Sequence, residues 1–290
     1  MGCLKGIAFG DAWGNHNEFL SVEEIALWGN PHPPEKFIIT DDTQMTLYLA
    51  DALEYSAPFE DRVFKIRKNF VKWLNDPDNN RNPGDTCLDA IASLELHEVV
   101  DNNSKGNGSL MRVFPCAYSK ERQQFGLAKA QSELTHKHST ATMCCLLATY
   151  LLMRAEADAL HAPDALNIAF NISADPNSPY YNKDISRALS LAIFYRDDPE
   201  LREYYDECSF IGEGWVAEEA LALALYFLGS GGGGLDRLGK AATCAGDSDT
   251  VAAITGGFIG AFYGDVWPED WIDRLEPRYK TWITKEWDIK

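Results

Sequence analysis

Apolar residues recur at helical spacing along most of the chain. In 43–55, Met45, Leu49, Ala52 and Leu53 fall at i, i+4, i+7 and i+8, one face of a helix. In 62–74, Val63, Ile66, Phe70, Val71 and Leu74 do the same, and the pattern stops at the Asn/Asp/Pro-rich stretch 75–84. Similar spacing predicts helices over 85–97, 125–134, 140–160, 162–172, 186–194, 216–228 and 235–243. Only 37–40 favours extended chain, no series of alternating strands appears, and no repeat at a solenoid period is present. The expectation is an all-α protein, a compact orthogonal bundle forming one domain over 1–290.

Two of these helices begin in unusually polar runs. Ile39-Thr40-Asp41-Asp42-Thr43-Gln44 opens one, and Gly246-Asp247-Ser248-Asp249-Thr250 opens another. Capping accounts for part of this, since Asp41 and Gln44 have capping-box spacing, Asp249 can cap a helix opening at Thr250, and acids complement a helix N-terminus. One short polar side chain per helix would suffice, however, and each run supplies about twice that. If the two starts meet, their surplus carboxylates repel unless a cation lies between them. Carboxylate and hydroxyl oxygens are hard ligands, suited to Mg²⁺ or Mn²⁺ and not to zinc.

Glycine spacing predicts that the starts do meet. Gly6, Gly10 and Gly14 recur every four residues, as do Gly256, Gly260 and Gly264. On helices each set makes a smooth face, and glycine costs a helix about 1 kcal/mol against alanine, so a close-packing role is expected. The run Gly231–Gly234 reads as a mobile loop.

A formal charge of −18 argues against nucleic acid or an anionic membrane as main partner, because both select basic surface. The seven cysteines include no C-x-x-C pair and read as reduced core thiols, which points to the cytoplasm. The N-terminal residues lack a signal peptide's apolar stretch, and the greasiest run, 216–228, carries Glu218 and Glu219 and is too short to span a bilayer.

Read in order, these motifs resemble the ADP-ribosylglycohydrolase family. Gly6-Ile7-Ala8-Phe9-Gly10-Asp11-Ala12-Trp13-Gly14 with Glu18 looks like its opening, and Thr40-Asp41-Asp42-Thr43-Gln44 like its T-D-D-T-Q. Gly106-Asn107-Gly108-Ser109 running on to Met111-Arg112 is similar to its G-N-G-[SA]-x-M-R, and Thr135-His136 with His138 to its T-H-x-H. Gly214-Trp215-Val216 and Gly246–Thr250 complete the series, which spans nearly the whole chain. Any one motif is weak; six in register are specific.

The resemblance implies two magnesium ions, replaceable by manganese, held by Thr40, Asp41, Asp42, Asp247, Asp249 and Thr250, with Asp249 nearest both. The implied reaction hydrolyses the bond between ribose C1″ of ADP-ribose and a protein side chain, arginine before serine. Asp41, Asp42 or Asp249 would act as base, and the sequence leaves open which. Glu18, seven residues after Asp11, would be a gate or acid/base, although its neighbours are more polar than the family pattern. Gly106, Asn107, Gly108 and Ser109 would hold the diphosphate in a nest of N–H groups. His136 would bond phosphate or ribose and Trp215 would stack on adenine or the distal ribose, each against a packing alternative. Arg112 reads as either a phosphate partner or a buried structural cation, and His138 as structural. Trp13 departs from the pattern and is expected to reshape the cleft wall. The implied partners are ADP-ribosylated protein and ADP-ribose, and a monomer suffices. An ADP-ribose-binding or toxin-blocking protein is the competing class; it would not need the intact acidic positions.

Overall fold

The computed structural model describes residues 2–54, 57–120 and 122–289. Among the described residues, regular structure consists of seventeen α-helices and two 3-10 turns. Extended chain is limited there to two isolated bridges, Phe37 with Leu275 and Gly106 with Val216.

Every segment with strong apolar periodicity is helical. The first expected helix runs Asp41–Leu53, and Tyr55, its expected last residue, lies outside the described residues. The 140–160 expectation shortens to Ser139–Glu156, and 162–172 divides into a 3-10 turn at Ala162–Asp164 followed by Ala165–Ala174. Pro163, at the start of that turn, suits the first positions of a helical segment because its missing N–H would be unpaired there. The helix Val22–Trp28 was not anticipated: none of its residues is buried, and a reciprocal capping box between Ser21 and Glu24 starts it.

Five of the six spaced glycines pack as their spacing predicts, and Gly264 instead ends its helix with φ +77° and open space around it. Gly2–Gly14 packs along Ser248–Tyr263 with almost no side chain between the backbones. A Cβ on Gly10 would lie 2.1 Å from the Ala252 carbonyl oxygen, and one on Gly6 would lie 2.0 Å from that of Gly256. The Ser248 hydroxyl donates to the Gly14 carbonyl at 2.8 Å, fixing the register of the two helices at the end where the acidic residues sit. Around this pair, long buried helices such as Ala217–Gly229 and Ser139–Glu156 complete one continuous apolar core. Among the described residues, no helix is long and apolar enough to cross a membrane. All seven cysteines are buried and unpaired.

Candidate active site

Both acidic helix starts lie at one end of the glycine-faced pair. Thr40 is the N-cap of Asp41–Leu53, so Asp41 and Asp42 stand in its first turn; Asp247 is the N-cap of Ser248–Tyr263, so Asp249 and Thr250 stand in the first turn there. The capping box expected of Asp41 and Gln44 is not formed. Thr40 Oγ1 accepts from the Asp42 N–H at 3.4 Å, and Gln44 instead pairs inward with Tyr279 and Trp73. Asp249 is not the cap either, because the helix opens two residues earlier than expected, at Ser248.

Carboxylates free of capping face each other across the junction. Thr250 Oγ1 donates to Asp42 Oδ2 at 3.1 Å and joins the two halves directly. One carboxylate oxygen from each of Glu18, Asp247 and Asp249 falls within 4.8 Å of the other two, a grouping able to hold a metal ion. Asp11 sits behind the first half and is fully buried. Its oxygens accept from the Thr40 N–H at 2.9 and 3.0 Å, the Thr43 N–H at 3.1 Å and the Thr43 hydroxyl. It therefore shapes the Thr40–Thr43 turn and has little capacity left for a ligand.

Five buried carboxylates in one place create an electrostatic demand. Asp11, Asp41, Asp42, Asp247 and Asp249 are each at most 6% exposed, and among the described residues none forms an ion pair with Lys, Arg or His. Burial holds Asp41, Asp42 and Asp249 well above the ordinary carboxylate range, and the neighbouring carboxylates add to it. Asp247 is raised too, and burial lifts Asp11 to about 6 against its own hydrogen bonds. Glu18 reaches about 7, through desolvation first and the Asp247 charge second. Asp42 Oδ1 is buried without any hydrogen-bond partner. A hard divalent cation would answer this demand, offsetting part of the negative charge and giving the orphan oxygen a partner. The residues present fit such an ion.

A cavity of about 380 Å³ opens over the cluster. Of the expected site residues it is lined by Glu18, Asp41, Asp42, Asp247, Asp249 and Thr250 and also by Gly106, Asn107, Gly108, His136 and Trp215. Thr40 lies just behind Asp42. Ser109 is turned into the core, where it bonds Ser132 and Cys145, and it does not reach the cavity. Asn107 is spoken for by protein: its amide donates to Asp247 Oδ2 at 2.6 Å and to the Gly214 carbonyl at 2.7 Å, so it orients Asp247. The glycine loop is a 3-10 turn over Asn107–Ser109 and not an open nest. The Gly106 and Asn107 N–H groups already donate to Ser104 Oγ and the Trp215 carbonyl. Gly108 is required by packing, since a Cβ there would meet Cys87 at 2.9 Å and His136 at 3.0 Å.

Other readings resolve to packing. Arg112 is completely buried against Phe70, and donates to Gln131 and Thr135, far from a phosphate role. His138 caps Ser139–Glu156 through Nδ1. Trp13 packs edge-on to Trp271 and against Gly239, outside the cavity wall. The 231–234 run bends away from the site and is tied down by Arg237 and Lys240, which donate to Ser230 and Gly231 carbonyls.

Among the lining residues that the sequence did not single out, Asn82 and Phe19 contact the expected ones directly. Asn82 has φ +54° and donates to Glu18 Oε2 at 2.9 Å. Its neighbour Arg81 is clamped by both oxygens of Glu276 at 2.8 Å, and the Arg81 carbonyl accepts from the Asp41 N–H at 3.2 Å. Phe19 has φ +67° and stacks on Trp215. The turn-forming Asn82-Pro83-Gly84 was the one available signal for the first; nothing marked the second.

The family model for ADP-ribosylglycohydrolase matches residues 1–288. The chain belongs to that family. Membership in the ADP-ribosylglycohydrolase family makes it a glycohydrolase. Its relatives include the ADP-ribosylarginine hydrolase Tri1 of Serratia proteamaculans, 24% identical over 296 residues, which cover 94% of this chain and 74% of that protein. The ADP-ribosylhydrolase ARH3 of Homo sapiens is 26% identical over 329 residues, 95% of this chain and 88% of that one. The ADP-ribosyl-(dinitrogen reductase) glycohydrolase of Rhodospirillum rubrum is 24% identical over 312 residues, 99% and 94% of the two chains. A solved structure described as an ADP-ribosylglycohydrolase-related protein complex shares the fold, with a TM-score of 0.71 at 24% identity over 97% of this chain and 94% of that one.

Proposed function

We propose that the chain is a divalent-metal-dependent hydrolase that releases ADP-ribose from mono-ADP-ribosylated protein, arginine being the foremost acceptor, by cutting the bond at ribose C1″. The observation that carries this reading is the cluster of buried, cation-free carboxylates with an orphan Asp42 Oδ1 at the base of a ligand-sized cavity. Thr40, Asp41, Asp42, Asp247, Asp249 and Thr250 would hold two Mg²⁺ ions, or Mn²⁺ in their place. When bound, such ions polarise water and orient hydroxyls of the ribose.

The remaining work falls to the chain. Glu18, at the rim, is raised to about 7 in the metal-free fold by desolvation and by the Asp247 charge, and its carboxyl is placed to serve as general acid or base. Asn82 holds its carboxylate in place, and Asn107 does the same for Asp247. His136 stays neutral: burial and Arg112 push it down to about 3. The Thr135 hydroxyl accepts from Arg112 at 2.6 Å and pairs with His136 Nδ1 at 2.8 Å. In the tautomer whose Nδ1 accepts from Thr135, the proton sits on Nε2, beside Gly106, as a donor for a ribose or phosphate oxygen. The name of the Tri1 relative supports arginine as acceptor. The −18 charge supports a monomer, the buried free thiols support the cytoplasm, and the main apolar core supports a single domain over 1–290.

The test is release of ADP-ribose from proteins modified on arginine or on serine, with Mg²⁺ or with EDTA. Release from arginine with Mg²⁺ and none in EDTA is expected. Turnover unaffected by chelation would overturn the metal-dependent reading, and no release from either acceptor would overturn the hydrolase reading.

A further inference from the structure

Phe19 breaks two local rules together. Its φ of +67° lies in a region that bulky residues avoid, and its ring is 65% exposed. Backbone pairing holds it there: the Phe19 N–H donates to the Gly246 carbonyl at 3.1 Å, and the Gly246 N–H donates to Leu20 at 3.3 Å. The segment after Glu18 is thus laced to the residue before Asp247. Strain of this kind persists only where the surroundings impose it, and it concentrates at ligand sites.

The ring lies over Trp215, centroids 5.3 Å apart and planes 20° from parallel. Trp215 is itself 37% exposed and is oriented by its Nε1, which donates to the Glu213 carboxylate at 3.1 Å. One face of the indole is therefore covered by Phe19, so a base cannot stack on that face while the pair is closed. Phe19 stays largely exposed and lines, with Glu18, the same cavity as Asp41 and Asp249.

We infer that the Phe19–Trp215 pair, with Glu18 and Glu213 beside it, forms the subsite for the guanidinium of the modified side chain, and that Phe19 sets the preference for arginine over hydroxyl acceptors. This rests on reading the cavity as an ADP-ribosyl hydrolase site. The chemistry is specific to a guanidinium. It is planar, weakly hydrated and permanently charged, so it stacks on an aromatic face while its N–H fork reaches carboxylates. A serine-linked ADP-ribose offers neither plane nor charge at that point and gains nothing from the ring.

The experiment compares one peptide carrying ADP-ribose on arginine with its counterpart carrying it on serine. Each is tested with the parent protein, Phe19→Leu, which keeps apolar bulk without a π face, and Phe19→Tyr, which keeps the ring. For Phe19→Leu, kcat/KM on the arginine-linked peptide should fall roughly three- to thirtyfold, the range a cation–π contact supplies. The serine-linked value should stay within about twofold, and Phe19→Tyr should restore arginine turnover. Equal loss on both peptides, no loss on either, or a parent that cleaves only the serine-linked peptide overturns the proposal and leaves the hydrolase reading standing. A parent that releases ADP-ribose from neither peptide overturns the hydrolase reading, and the guanidinium subsite falls with it.

Discussion

At the rim of the cavity the Asn82 amide reaches Glu18 from a left-handed backbone, φ +54°. Glycine adopts that backbone freely, so Asn82→Gly removes the amide and little else. A hydrogen bond to a charged group is worth ~1.5–3 kcal/mol, so kcat should fall about ten- to a hundredfold with the melting temperature unchanged. Steady-state kinetics beside a thermal melt checks this, and a loss of stability without a loss of kcat would mark Asn82 as structural. Asp249→Ala should abolish turnover in a folded protein. In EDTA the variant should melt above the parent, because a buried like charge has been removed, while Mg²⁺ should protect it far less. A variant that keeps turnover would remove Asp249 from the proposed ligand set. The acidic pairs, Gly106, Gly108 and His136 were legible because each is a short polar or glycine signature set against an apolar run. Asn82 and Phe19 were not, since their placement comes from backbone dihedrals and from partners far along the chain. Ser109, Arg112 and Trp13 read as candidates because polarity and size do not reveal which way a side chain turns.

The helices themselves were largely readable from period alone, and their pairing from glycine spacing. What periodicity could not supply were elements without an apolar face, such as Val22–Trp28, where the Ser21–Glu24 capping box was present in the sequence but has no stripe to accompany it. At this scale the decisive contact is backbone on backbone. A Cβ on Gly260 would lie 2.3 Å from the Gly2 carbonyl oxygen, and neither helix can retreat without uncovering the core. Gly260→Leu should therefore cost well beyond the ~1–3 kcal/mol of ordinary overpacking and yield insoluble or unfolded protein. Gly84→Ala is the matched control: nothing lies within 4 Å of the added Cβ, and the Gly84 φ of −64° suits alanine. Circular dichroism and melting of the purified variants separate the two. A folded Gly260→Leu with a normal melting temperature would refute the packing argument.

For the molecule as a whole, the carboxylate cluster makes stability depend on pH and metal together. Asp11 moves from an ordinary 3.8 up to about 6 and Glu18 from 4.5 up to about 7 in the metal-free fold. Between those limits the folded state binds more protons than the unfolded one, so stability falls as pH rises from about 4 to 7. His136, held down at about 3 against an ordinary 6.5, acts in the opposite sense and gains stability as pH rises through that interval. The raised carboxylates outnumber it, and in EDTA the melting temperature should drop from pH 5 to pH 7. A bound cation favours the charged carboxylates, so the gap between melts in Mg²⁺ and in EDTA should widen over the same range. Differential scanning fluorimetry across pH measures both curves; a gap independent of pH would mean that these carboxylates do not hold the ion.

The pairing of Gly2–Gly14 with Ser248–Tyr263 also sets a clock on the ribosome. The first helix is tied to distant parts of the chain, with Trp267 Nε1 donating to the Gly2 carbonyl at 2.9 Å and Lys5 paired with Asp265. At about 5–20 residues per second, roughly 12–50 s separate synthesis of the first helix from that of its partner. Throughout that interval Leu4, Ile7 and Phe9, all buried in the finished protein, have no Ser248–Tyr263 helix to pack on. Half of the acidic cluster likewise waits for the other half. A nascent chain interrupted before residue 247 would carry Thr40, Asp41 and Asp42 without Asp247, Asp249 and Thr250, so the acidic cluster assembles only once the second helix start has been made.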